Sequence, residues 1–150
     1  AKEMIQSAKW YLGRASNYQL TTSQMYENER GTAGSMANPT LTEWIGKVGL
    51  MYPSDYGYAA PQDTCGTTTL GDYDGSNSDC FNSDWLYNSA YQWTITPNSS
   101  TAINVFSAAS HVHVGRLGAD CFGLRPTVYL KSNVSITSGD GSKPHPYELK

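Results

Sequence analysis

The sequence predicts an α+β domain in which two N-terminal helices pack on a small, mainly antiparallel sheet with long loops. Three observations lead there. Turn-separated segments rich in β-formers crowd the second half of the chain, and segments with helix start and stop signals occupy its beginning. The 150 residues also suit one core, which buries roughly 70% of the surface that an unfolded chain of this size exposes. Helices and strands kept apart along the sequence belong to the α+β class. No repeat or linker divides the chain, so residues 1–150 are read as one domain.

Taken in order, "AKEMIQSAKWYLG" (1–13) reads as a helix already under way at Ala1, with no capping residue ahead of it and Gly13 as its stop. That abrupt start leads us to expect an anchor or pilin helix upstream. Thr21 and Gln24 have the spacing of a capping box, and "SQMYENER" running to Gly31 gives a second short helix. "GTAGSMANPT" follows as a loop. Residues 45–52 are compatible with a strand ended by Pro53, its glycines marking close packing of another backbone. Ser54 is placed to cap a turn of helix in "PSDYGYA". Residues 60–83 are polar and turn-rich, and read as one long surface loop. "DWLY", "YQWTITP", "AINVFSA", "HVHVGRL" and "LRPTVYLKSNVSI" then supply the strands of an antiparallel sheet. Trp44, Trp85 and Trp93 are expected as core anchors. Arg125 and Asp55 are expected as buried charges, the arginine meeting a carboxylate.

Composition narrows the function classes. Charged residues are 15% of the chain, against about 25% in a typical domain, and 11 Tyr, 4 Trp and 14 Gly stand out. Such a surface suits an extracellular or cell-surface location. A net charge of -3 without a Lys/Arg cluster argues against nucleic-acid binding, which needs a basic stripe to neutralise phosphates. No run of about 18 apolar residues exists, so membrane attachment would come only through a segment preceding Ala1. Of three cysteines, Cys65 and Cys80 bracket a segment with little apolar content. They are the preferred disulfide pair if the compartment is oxidising, worth about 3 kcal/mol for a loop of about 15 residues. Cys121 is left as a free thiol, expected to be partly buried beside Phe122.

Several segments together resemble a known group. "WIGKVGLMYPSDYGYA" (44–59), "DWLY" (84–87), "WTITPNSS" (93–100), "GLRPTVYLKSNVSITSGDG" (123–141) and "HPYEL" (145–149) resemble the C-terminal domains of bacterial prepilin-type surface proteins. Those domains are similar to the C-type-lectin-like superfamily, which includes formylglycine-generating enzymes and the variable proteins of diversity-generating retroelements. The resemblance covers residues from about Ala8 to the end and is densest after Trp93. It implies a C-type-lectin-like fold with neighbouring termini, "GLRPTVYL" as a central strand, and an exposed ligand-facing region over residues 98–122.

That region holds "SHVHVGRLGADCF", in which strand alternation sets His111 and His113 on one face and Val112 and Val114 on the other. The two imidazoles could hold Zn²⁺ or Cu²⁺ if Asp120 or Cys121 converged on them, but no second ligand pair exists at motif spacing. Two solvated imidazoles on a sheet face are the plainer expectation. Cys121 with a histidine could form a nucleophile and base, but formylglycine-generating enzymes work with a pair of cysteines and Cys121 is the one left outside the preferred Cys65–Cys80 pair. Asp72, Asp74, Asn77 and Asp79 offer oxygen ligands for Ca²⁺, yet the spacing fails the EF-hand pattern and the calcium triplets of lectins are missing. No catalytic residue, metal or cofactor is therefore expected.

Tyr, Ser, Gly and Asn suit adaptable recognition surfaces, because rigid rings cost little entropy and short polar groups bond flexibly. Asn98, Ser99, Ser107, Ser110, His111, His113, Arg116, Asp120 and Phe122 are the expected ligand contacts. The function expected is a non-enzymatic, surface-displayed domain that presents a variable recognition surface from a pilin-like protein. Retroelement diversification is a further hypothesis, and the partner is a protein or glycan on a cell or host surface. The alternatives are a structural minor pilin head engaged in filament packing, or a divergent metal-binding enzyme using His111, His113 and Cys121.

Overall fold

The computed structural model describes residues 4–31, 43–76, 79–98, 104–116, 120–141 and 144–150. It is a mixed α+β fold in which short helices pack against small antiparallel sheets. The expected loop after Gly31 lies almost wholly outside the described residues.

The first expected helix is instead a strand, β1 (Ala8–Tyr11), paired antiparallel with β2 (Glu43–Gly46). Trp10 explains the outcome. It is completely buried opposite Trp44, stacks on Tyr52, meets the Tyr129 ring at a tilt, and donates its indole N–H to the Gly46 carbonyl at 3.0 Å. Cross-strand aromatic contacts of this kind override a weak helix preference. The expected strand over 45–52 divides at Lys47 into β2 and β3 (Val48–Leu50). What approaches Gly49 is not a backbone but the Trp10 ring, which would stand 2.7 Å from any added Cβ.

Helix α1 (Thr22–Arg30) begins at the expected capping box, with Thr21 and Gln24 bonded reciprocally, and ends at Gly31. It buries Thr22, Met25 and Glu29, one stripe at helical spacing. Helix α2 (Pro53–Ala59) has Pro53 in its first turn, where the missing N–H costs nothing. Tyr52, not Ser54, occupies the cap position. Ser54 lies inside the helix and turns to α1, giving both its N–H and its hydroxyl to Glu29.

Beside that contact, Arg30 lies 2.7 Å from Asp55 and stacks 4.0 Å above the Tyr52 ring. Asp55 thus has a cation partner, as a half-buried carboxylate requires.

Residues 60–83 are more than a surface loop. They contain α3 (Gln62–Cys65), two 3₁₀ turns and the Cys65–Cys80 disulfide, and they send Leu70 and Tyr73, both fully buried, into the core. Tyr73 bonds Thr22 of α1 and the Gly57 carbonyl of α2 through its hydroxyl.

The three-stranded sheet is a meander of β4 (Gln92–Pro97), β5 (Asn104–Ala108) and β6 (Val112–Arg116). Phe106, Ala108 and Val112 join the core cluster with Met25, Tyr56, Leu70 and Tyr73. "DWLY" forms a turn, not a strand, because Asp84 caps it through the Leu86 N–H. "GLRPTVYL" is not a central strand: among the described residues β7 (Pro126–Val128) has β3 as its one strand partner, with single bridges at Gly123 to Gln92 and at Leu130 to Ile5, while Leu124 and Val128 stay exposed. β8 (Ile136–Ser138) and β9 (Glu148–Leu149) form an exposed two-stranded ribbon. The tryptophan expectation also shifts: Trp44 is 44% and Trp85 78% exposed, Trp93 is half-buried, and Trp10 is the core indole. Among the described residues no helix is long and apolar enough to cross a membrane.

Glu29 gives the fold a pH signature. Burial pushes its carboxyl up to about 8, against partial relief from Ser54 and Arg30. The folded chain therefore holds the protonated form more tightly than the unfolded chain does, so this contribution is full below the ordinary carboxylate value of 4.5 and is lost as pH rises through about 8. Urea unfolding should show stability falling over that window, and Glu29→Gln should flatten the slope. An unchanged slope in that variant would mean that Glu29 does not cause it.

Candidate functional site

Strand pairing defines the outer face of the meander. Trp93, Ser107 and His113 are register partners and so share one face, while Phe106 with Val114 and Ala108 with Val112 share the other. The second face is the core. On the first face six rings gather: Tyr18 lies 5.4 Å from His113, Tyr91 lies 6.0 Å from His111 and 6.4 Å from His113, and Phe122 packs on Tyr91 and Trp93 at 5.1 and 4.7 Å. His111 is half-buried and His113 is exposed.

The segment carrying Phe122 is laid along β4 by backbone bonds from Trp93 N–H to the Gly123 carbonyl and from Gly123 N–H to the Tyr91 carbonyl, both 2.9 Å. Gly115 makes room for it, since a Cβ there would lie 2.6 Å from both the Phe122 and Trp93 rings. The glycine in "HVHVG" is therefore a packing requirement of the face.

Polar bonds fix one imidazole. His111 Nδ1 lies 2.8 Å from Asp74 Oδ2 and 3.3 Å from Ser110 Oγ, which itself donates to Asp74 at 2.9 Å. The Nε2 atom faces the Tyr91 hydroxyl at 3.5 Å. Burial, and then the charge of Asp74, push the Tyr91 phenol up, so it stays neutral at physiological pH. This is not the arrangement of a serine nucleophile. A histidine base must present to the serine the nitrogen opposite its carboxylate partner, and here Ser110 and Asp74 crowd the same nitrogen. Oriented imidazole and phenol groups are what the arrangement supplies.

The remaining expected contacts divide. Ser110 belongs to the cluster. Ser107 sits beneath the rings with no exposure, its hydroxyl without a hydrogen-bond partner among the described residues, because Trp93 and His113 flank it across the sheet. Asn98 is also buried; it donates to the Ser16 carbonyl at 3.3 Å and ties β4 to the segment at Ala15. Neither faces solvent as expected. Asp120 is exposed, and Arg116 closes β6 opposite Asn104 with its side chain outside the described residues. Ser99 lies outside them too. Cys121 is exposed, not partly buried.

Among the described residues no group of three His, Cys, Asp or Glu side chains converges to hold a metal. In the acidic turn, Asp72 bonds Thr69 and Gln19, Asp74 bonds His111 and Ser110, and Asp79 bonds Asn82. Asn77 lies outside the described residues.

Sequence reasoning missed Tyr18, Tyr91 and the role of Asp74. Tyr91 carried a usable signal, since it stands two residues before Trp93 in an alternating strand. Tyr18 carried none, because its position depends on backbone bonds from Leu70 and Gly71 to the carbonyls of Leu20 and Tyr18.

Two substitutions check this geometry. Ser107→Ala removes an unpaired buried hydroxyl, and chemical denaturation should find the variant as stable as the parent or about 1 kcal/mol more so. Gly115→Ala forces Phe122 and Trp93 apart and should cost about 1–3 kcal/mol with a shift in tryptophan emission. Equal stability of parent and Gly115→Ala would contradict the packing described. Comparison of the chain with protein-family models, with curated proteins and with solved structures finds no match.

Proposed function

We propose that this chain is a non-enzymatic recognition domain with a C-type-lectin-like fold, displayed at the cell surface on a pilin-like or otherwise anchored protein. Its ligand is a protein or a glycan on a cell or host surface, and the face that meets it is the outer side of the β4–β5–β6 meander. The observation that carries this reading is the gathering of Tyr18, Tyr91, His111, His113 and Phe122 on that side, with His113 exposed.

Three physical features support it. The rings are held before any ligand arrives, so binding does not have to order them. Asp74 and Ser110 fix His111, while the Gly123 bonds fix Phe122. The surface also mixes rigid aromatic area with short polar groups, the combination that adaptable binding surfaces use. Retroelement diversification would act on such a face without disturbing the core behind it, and it stays part of the proposal.

Screening the purified chain on immobilised glycans and on host-surface proteins tests the reading. A ligand found there should lose binding about tenfold or more in His113→Ala and Tyr91→Ala, the range for central aromatic and polar contacts. Asp63→Ala, an exposed change on α3, should leave it intact. Binding that survives both face variants would contradict the assignment.

A further inference from the structure

A second concavity, which shares no residue with the imidazole-bearing face, opens between α2, the turn at residues 84–87 and β7. Its volume is about 550 Å³, within the range of small-ligand sites. Met51, Ala59 and Val128 give it an apolar lining, Trp85 and Tyr58 contribute rings, and Arg125 and Asp55 are its charged groups.

Trp85 is the unusual member. It is 78% exposed, yet the turn that carries it is pinned on both sides. Asp84 Oδ1 accepts the Leu86 N–H at 2.7 Å, the Asp84 carbonyl accepts the Tyr87 N–H at 3.1 Å, and Arg125 donates to the Leu86 carbonyl at 2.8 Å. An indole on a fixed backbone, left almost wholly in water, contributes little to the core and is already set for a partner.

Charge then decides the class of that partner. Asp55 is balanced by Arg30 at 2.7 Å, and Arg125 has Asp84 nearby. Burial pushes the Asp84 carboxyl up to about 6, against partial relief from the Leu86 N–H and the Arg125 charge, so that it is still mostly ionised at neutral pH. The cleft therefore has no excess of either sign to draw an ion. It retains hydrogen-bonding capacity, because the other N–H groups of Arg125 have no partner among the described residues and each Asp55 oxygen accepts one bond while having room for another. Unused donors and acceptors beside two rings match an uncharged, polyhydroxylated ring with one apolar face. A pyranose has that build: its C–H face can lie against an indole while its hydroxyls reach a guanidinium and a carboxylate.

We propose that this cleft binds an uncharged hexopyranose residue, with Trp85 as its stacking platform and Arg125 and Asp55 as its hydroxyl partners. The site is separate from the histidine face and stands or falls independently of it.

The test follows the indole N–H signal of Trp85 by NMR in the full chain during titration with the methyl glycosides of glucose, galactose, mannose and N-acetylglucosamine, and with methyl glucuronide. At least one neutral glycoside should give a saturable shift at millimolar concentration. Trp85→Ala, which removes a ring that is 78% exposed, should abolish the accompanying shifts at Tyr58 and Thr127. Arg125→Leu should weaken binding about tenfold, as expected for a lost charge-assisted hydrogen bond. His113→Ala should leave the titration unchanged. The proposal is overturned if no neutral glycoside produces a saturable shift, if the Tyr58 and Thr127 shifts persist in Trp85→Ala, or if only the glucuronide binds.

Discussion

Complete burial of Phe106 and Val112 is the constraint on which the rest of the candidate site depends. Once these side chains are committed to the cluster with Met25, Tyr56, Leu70 and Tyr73, the period-two geometry of β5 and β6 leaves no freedom for their neighbours. Ser107 and His113 go to the other side, and a shift of one residue in register would exchange the two sets. The histidines face outward because Val112 between them faces inward.

The core that receives these strands is built by polar as well as apolar contacts. Glu29, Ser54, Arg30 and Asp55 join α1 to α2, and Tyr73 adds hydroxyl bonds to both helices from the disulfide-closed segment. Burying Glu29 is costly, which its raised pKa expresses, and the arrangement persists because Ser54 offers it two hydrogen bonds and Arg30 a compensating charge that outweighs the repulsion from Asp55. The chain beyond Gly123 is organised differently. β7, β8 and β9 form two-stranded ribbons with exposed side chains, so stiffness there comes from backbone pairing to β3 and to residues 4–6, not from a core of its own.

Much of this was legible from the sequence wherever the signal was local. The capping box at Thr21 and Gln24, the stop at Gly31, the Cys65–Cys80 bridge and the strands β4, β5 and β6 all depend on residues close together or on a marked alternation. What failed was decided at long range. Residues 8–11 pair with a strand more than 30 positions away, and Trp10, not Trp44 or Trp85, finds the cavity among Tyr52, Gly49 and Tyr129. The polar composition of residues 60–83 concealed Leu70 and Tyr73, because averages do not register two side chains turned inward. The site was half legible for the same reason: alternation identified the faces of His111 and His113, while Tyr18 and Asp74 reach them only through the folded path of distant segments.

Substituted-cysteine labelling along β6 tests the central claim most directly. In a Cys121→Ser background, single cysteines at positions 111 to 114 are exposed to a maleimide under native conditions. The account predicts rapid labelling at position 113, slower labelling at the half-buried positions 111 and 114, and protection at position 112 until the chain is unfolded. Rapid labelling at position 112 with protection at 113 would reverse the sheet's faces and contradict the account.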